Sequence, residues 1–270
     1  MNKFIFPIII LSLLFFSLNK KTDLLEVDFL DVGQGDAILI KTPTGKNILI
    51  DGGADNKLLS QLADNLAWWE REIDYLVITH FHADHIMGLP ELLNKYKVKN
   101  ILVSNHQTKD FLYQLWSDRL IEKKLSAQIV GAGERFVIAE DLYWQVLSAD
   151  DYHEDYNDNS VVIRLTHGSI DFLFTGDLPT TGEDKILATD LVLESEVLKI
   201  GHHGSKYSSG EEFLKAVSPQ ICVIQSGKDN KFGHPHPETI NRLTNIGCQI
   251  KDTQNQGLIK IFSDGQTLRP

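Results

Sequence analysis

Cysteine is scarce in this 270-residue chain: there are two, Cys222 and Cys248, without CxxC spacing. That excludes a cysteine-rich zinc ribbon and a multiply cross-linked secreted scaffold. Each sits in an apolar, strand-like context, so the pair reads as two buried thiols, one disulfide being the alternative. Positive charge is also short. Lys and Arg number 26 against 37 Asp and Glu, a net charge of −11, whereas a general nucleic-acid binder carries a basic face. Only a local basic rim is left, from Lys199, Lys206, Lys228 and Lys231. There is no solenoid-like repeat, no low-complexity tract and no linker after residue 24. One continuous domain over residues 23–270 is therefore expected.

Long apolar runs are nearly absent too. The one exception is residues 4–18, apolar apart from two serines, with Lys3 before it and Lys20 and Lys21 behind. It is shorter than the roughly 20 residues of a bilayer span and suits the apolar region of a signal peptide. No Ala-x-Ala cleavage site follows, so an uncleaved membrane anchor is an equal reading of residues 1–22. Charge is balanced on either side and gives no orientation. Export is expected, with the rest of the chain on the extracellular face of the membrane or secreted.

What is present is organised around residues 73–88. Tyr75–Ile78 is an apolar β-forming run and reads as a buried strand. His80, His82, Asp84 and His85 follow within six residues. Imidazoles two apart suit a loop wrapping one cation, and the next carboxylate and imidazole can turn to a second. Before it, Val32–Asp36 is a glycine-rich loop whose backbone can approach a ligand closely, with Gln34 and Asp36 facing a metal cleft. Helices are expected over 56–70 (Leu58, Leu59, Leu62, Leu66 and Trp69 on one face), 87–96, 108–124, 183–195, 211–217 and 238–246. Strands between them give a strand-rich opening and then strand–helix alternation. A second histidine cluster, Gly201-His202-His203-Gly204-Ser205, closes a strand over Glu196–Ile200. Ser205, Lys206 and Ser208 are candidate donors to phosphate oxygens. A later loop holds His234 and His236 between prolines and a glycine.

Thr79-His-Phe-His-Ala-Asp-His85 resembles the HxHxDH signature of the metallo-β-lactamase-fold hydrolases. Asp51-Gly-Gly, Thr175-Gly-Asp177 and Gly-His-His-Gly follow that superfamily's order. Asp31-Val-Gly-Gln-Gly-Asp36, Asn159-Ser-Val-Val and the GHHGS and Gly-His-Pro segments are similar to the C-terminal hydrolase domain of ComEC-type DNA-uptake competence proteins. The likeness covers roughly residues 25–265. It implies an α/β (α+β) four-layer αββα sandwich and two divalent metal ions, zinc or manganese. It also implies ligands: His80, His82 and Asp177 for one ion, and Asp84, His85, Asp177 and His202 for the other, with Asp177 bridging. Asp51 would orient the loop from behind. His203 would face substrate or metal, the choice between it and His202 as ligand being close; Asp84 would orient the nucleophile, and His234 or His236 would be a general acid or phosphate contact. The superfamily's third-motif histidine is missing here; Asp158 or Asn159 could substitute through oxygen, and His153 lies nearby. The implied chemistry is phosphodiester hydrolysis by a bridging hydroxide, most simply of DNA beside a membrane uptake channel. Two readings stay open beside it: a secreted phosphodiesterase on small or phosphocholine-type esters, and a non-catalytic metal-binding accessory of DNA uptake.

Overall fold

The computed structural model describes residues 24–105, 111–149 and 155–270. The apolar segment 1–22 and His153 lie outside the described residues. Two sheets account for the strands. The first has eight, in the order β15-β14-β1-β2-β3-β4-β5-β6, and the second has seven, in the order β13-β12-β11-β10-β9-β8-β7. The first comprises β1 (Leu25–Phe29), β2 (Ile38–Lys41), β3 (Asn47–Ile50), β4 (Glu72–Ile78), β5 (Lys97–Val103), β6 (Ala127–Ile129), β14 (Ile259–Ser263) and β15 (Leu268–Arg269). The second comprises β7 (Arg135–Ala139), β8 (Leu142–Ser148), β9 (Val162–His167), β10 (Ile170–Phe174), β11 (Val197–Lys199), β12 (Ile221–Ile224) and β13 (Gln249–Asp252).

Alternation along the strands builds the layers, because successive side chains leave opposite faces of a sheet. Val27, Phe29, Ile48 and Val77 of the first sheet meet Trp144, Leu165, Phe172 and Phe174 of the second in one buried cluster. Leu49, Leu76 and Ile78 point the other way. They are covered by Leu58 and Leu62 of α1 (Lys57–Asn65), Leu89 and Leu92 of α3 (Leu89–Lys95), and Trp116 of α4 (Phe111–Lys123). On the far side Leu173, Leu198 and Ile224 pack under Ile186 of α5 (Thr180–Leu187), Phe213 of α6 (Glu211–Val217) and Leu243 of α7 (Pro237–Asn245). The result is the expected αββα sandwich. Two short helices, α2 (Ala83–Ile86) and α8 (Thr253–Gln256), complete the described elements.

Parallel pairing sets up one functional rim. β3 runs parallel to β4, and β10 to β11. Their carboxyl ends carry Asp51, Thr79–His85, Asp177 and the 3-10 turn Gly201–Gly204 respectively. Ligands gather at strand carboxyl ends in open α/β sheets for the same topological reason.

Three expectations change. The helix expected over 183–195 is Thr180–Leu187; Thr189 Oγ1 donates to the Ile186 carbonyl and accepts the Leu191 amide, ending the ladder. The helix expected over 56–70 stops at Asn65 because Leu66 is extended, and Trp69 is 53% exposed instead of facing the core. Cys222 and Cys248 form a disulfide and are not free thiols. β12 and β13 are parallel neighbours with Cys222 opposite Ile250, which brings the chain just before β13 against Cys222.

Candidate metal centre

Asp51 anchors the centre. It adopts φ 58°, in the left-handed region that non-glycine residues rarely occupy. Its Oδ1 accepts the Thr79 amide at 2.8 Å, and its Oδ2 accepts Thr79 Oγ1 at 2.6 Å. His85 Nδ1 lies 2.8 Å from the same Oδ2. A carboxylate only accepts, so His85 carries its proton on Nδ1 and turns Nε2 inward. His203 is fixed the same way, with Nδ1 2.9 Å from the Gln225 carbonyl. Thr79 Oγ1 donates to Asp51 and so accepts from His80 Nδ1, 3.1 Å away, leaving His80 Nε2 inward as well.

These rings converge on Asp177, whose amide donates to Ser160 Oγ at 3.2 Å. Asp177 Oδ2 lies 3.3 Å from His203 Nε2, 3.4 Å from His85 Nε2, 3.7 Å from His202 Nε2 and 3.9 Å from His80 Nε2. Asp84 Oδ2 is 3.2 Å from His203 Nε2. His82 Nδ1 faces His80 Nε2 at 3.1 Å, and its ring stacks on Tyr156 at 5.2 Å between centroids.

The electrostatics are those of crowded charge in a dry place. Burial alone would lower the pKa of His85 and His203. The Asp177 carboxylate, with Asp51 at His85 and Asp36 at His203, raises both well above the imidazole range. Burial would raise Asp177, but His203 and His85 hold it well below the carboxylate range. Burial and the neighbouring His85 charge push His80 down, and burial likewise lowers His82.

The residues fit a divalent cation. Asp177 Oδ1, His85 Nε2 and His203 Nε2 are buried and find no hydrogen-bond partner among the described residues; groups of this kind cost free energy unless something else satisfies them. Four donor sets, His80–His85–Asp177, Asp84–His85–His203, Asp36–Asp51–His85 and Asp36–Asp177–His203, each lie within 4.8 Å. Nitrogen and carboxylate oxygen donors suit zinc, manganese and similar ions.

The other sequence candidates are placed unevenly. The sequence favours His202 narrowly as the ligand, with His203 facing substrate or metal. In the structure His203 is buried in the donor sets, while the His202 side chain is 28% exposed at the mouth. Asp36 is buried and belongs to the cluster. Gln34 instead reaches across to the Gly227 amide at 3.1 Å. Gly35 is required between them: at φ 122° a Cβ would sit 2.0 Å from the Asp84 carbonyl oxygen. Asn159 is buried and donates Nδ2 to the Asp155 carbonyl at 2.7 Å, inside its own turn. Ser205 is buried and its Oγ accepts the Tyr207 amide, so it is turned away from solvent. Lys206 is exposed. His236 Nδ1 accepts the Lys206 amide at 3.2 Å, and the buried His234 ring lies 5.4 Å from that of His202. Lys199, read as a rim cation, is wholly buried; its Nζ lies 2.6 Å from Asp36 Oδ2 and donates to the Ile200 carbonyl.

Tyr156, Ser160, Gln225 and Glu183 were missed, since each acts through contacts that only the fold creates. Glu183 accepts the Ser209 and Gly210 amides at 2.5 and 2.8 Å, pinning the segment after the second histidine cluster. Burial raises its pKa to about 7 from 4.5 against the pull of those donors and Arg242. The folded chain thus binds this proton more tightly than the unfolded one. Its contribution to stability is complete below about pH 4.5 and fades as pH rises through 7. Glu183→Gln should flatten the slope of stability against pH between about 5 and 7.5, measured by urea denaturation.

A sandwich of two mixed sheets with a histidine–aspartate cation cluster along one rim defines a class of metal-site αββα proteins. The chain belongs to the metallo-beta-lactamase superfamily, whose sequence pattern matches residues 30–227. It is 29% identical over 257 residues to ComE operon protein 3 of Bacillus subtilis (87% of this chain, 32% of that protein). It is 31% identical over 255 residues to Recombination protein 2 of Haemophilus influenzae (92% and 30%). The chain therefore spans about a third of the length of these relatives. The fold is shared with the metallo-beta-lactamase fold protein YhfI from Bacillus subtilis, at a TM-score of 0.56 and 11% identity, over 87% of this chain and 98% of that one. Within such a centre Asp51 orients a ligand that it does not replace. Asp51→Asn should weaken metal affinity by about 10- to 100-fold, read by competition with a chromophoric chelator.

Proposed function

We propose that the chain is a dinuclear metal-dependent phosphodiesterase acting on DNA. The observation that carries the reading is the convergence of three unpartnered buried atoms, Asp177 Oδ1, His85 Nε2 and His203 Nε2, with Asp84 beside them. His80, His82 and Asp177 would hold one ion, and Asp84, His85, Asp177 and His203 the other, His202 standing at the entrance. When bound, two such ions supply the charge that lowers the pKa of water toward neutrality and neutralises charge growing on phosphoryl oxygens. The protein's part is orientation. Asp51 and the Gln225 carbonyl lock the imidazoles, Asp84 offers a carboxylate at the opening, and His236 and Lys206 stand where a phosphate oxygen would meet protons or positive charge.

DNA as substrate is supported by the likeness to competence-type hydrolase domains and by a relative named for recombination. The net charge of −11 favours instead a small ester substrate, and that is the second reading. The Cys222–Cys248 disulfide supports an oxidising compartment, and with it the extracellular face of the membrane, where the apolar segment 4–18 and an uptake channel would be neighbours. The test is hydrolysis of single-stranded DNA and bis-p-nitrophenyl phosphate by metal-free protein resupplied with zinc or manganese. Cleavage of both is expected. Cleavage of the small ester alone would move the substrate away from DNA, and cleavage of neither would end the enzymatic reading.

A further inference from the structure

Two lysine–aromatic pairs lie next to the segments that carry the later histidines. Lys206 Nζ lies 5.2 Å from the Tyr207 ring centroid, and Lys231 Nζ 5.1 Å from that of Phe232. The Tyr207 residue is 66% exposed and Phe232 50%, so neither ring is held by the core. In a chain with eleven excess negative charges, these two pairs put positive charge and exposed ring together in segments that adjoin the histidines.

The Phe232 pair is joined to the metal centre by rings. Phe232 stacks on His234 at 5.7 Å with 21° between planes. His234 lies 5.4 Å from His202 and 4.8 Å from His236, and His202 Nε2 is 3.7 Å from Asp177 Oδ2. The other pair is tied in through the backbone: the Lys206 amide donates to His236 Nδ1, and Tyr207 is the next residue in the chain. The Phe232 loop is rigid. Asn230 Oδ1 accepts the Phe232 and His234 amides at 3.1 and 3.0 Å. Asn230 Nδ2 and Gln254 Nε2 both donate to the His234 carbonyl, at 2.6 and 2.7 Å. A large apolar ring held half in water, with one face stacked on a site histidine, leaves the rest of its surface to solvent and to the mobile Lys231 side chain, which a base could displace toward its own phosphate.

A lone phosphodiester does not need such faces. A nucleobase does, provided that it is unpaired, since aromatic rings bind any base by its π-face while lysines track the phosphates. We propose that Phe232 and Tyr207 are base-stacking positions for a single-stranded nucleic acid, with Lys231 and Lys206 meeting the adjoining phosphates. The inference rests on the nucleic-acid reading of the centre and adds to it where the bases lie. It also explains how an acidic chain holds a polyanion, through two stacking points in place of a basic face.

The test is binding of the full chain, in chelator, to a fluorophore-labelled single-stranded oligonucleotide and to an abasic sugar–phosphate strand of the same length. Cleavage is scored separately after metal is restored. The wild type should bind the base-bearing strand more tightly by about tenfold per stacked base. Phe232→Ala and Tyr207→Ala should each shrink the ratio between the two strands, and Phe232→Tyr should retain it. Equal affinity of the wild type for the two strands would overturn the proposal. So would a Phe232→Ala variant that weakens both strands alike, because that result marks Phe232 as a support for His234 only. Base-dependent binding without cleavage would keep the stacking positions and remove the nuclease reading, so the two failures are distinguishable.

Discussion

Asp177→Asn is expected to lower bis-p-nitrophenyl phosphate hydrolysis on the order of 10³-fold, about 4 kcal/mol of barrier. The reason lies in what surrounds this carboxylate. Four imidazole nitrogens approach its Oδ2 within 3.9 Å, and its other oxygen has no hydrogen-bond partner. Asparagine keeps the shape, and the bond from the Asp177 amide to Ser160 Oγ is a backbone contact that survives. Only the charge goes. Without it His85 and His203 lose the neighbour that most raises their pKa, and the proposed centre loses the carboxylate assigned to both ions. Metal content by mass spectrometry should fall together with rate, while the circular dichroism spectrum stays native. A variant that keeps its metal and more than a tenth of the rate would show that Asp177 is not the shared ligand.

The clustering of these motifs is legible because each is local: Asp51, the His80–His85 stretch, Asp177 and Gly201–Gly204 each follow a strand, and their order along the chain suffices. The αββα layering was readable for a similar reason, from apolar strands alternating with amphipathic helices. What escaped the sequence depends on backbone direction or on distant partners. His202 and His203 adopt φ values of 48° and 55°, and in that left-handed turn the second ring, not the first, is aimed into the core. No neighbour-based pattern signals it. Cys222 and Cys248 looked like apolar filler, since only the parallel pairing of β12 and β13 reveals that they meet. Lys199 was misread most plainly. A lysine near a glycine–histidine motif suggests part of a basic rim, yet β11 lies between β10 and β12 in the sheet and all three of its residues are buried. Its partner, Asp36, is 163 positions earlier in the sequence.

Lys199→Met should therefore act on the fold as strongly as on the chemistry. Burial raises the pKa of Asp36, but Lys199 and His203 overcome this and hold it below the ordinary carboxylate range. In the wild type this carboxylate stabilises the fold above its unfolded pKa, and the benefit is lost as pH falls through the folded value. Removing the ammonium leaves the carboxylate buried and short of its strongest partner, a situation that costs about 3–5 kcal/mol. The sign of the pH dependence should reverse. With its pKa now raised by burial, Asp36 in the variant destabilises more as pH climbs, so the urea midpoint of Lys199→Met should fall from pH 5 to pH 8 relative to wild type. A Lys199→Met/Asp36→Leu double variant should recover most of the stability, since an apolar pair of similar volume replaces a buried ion pair at little cost. It should not recover hydrolysis, because Asp36 Oδ1 lies 3.2 Å from His203 Nδ1 and the carboxylate belongs to the buried donor cluster with Asp177 and His203. Recovery of both would reduce the pair to packing. Loss of less than about 1 kcal/mol in the single variant would mean that water reaches Asp36 and screens it.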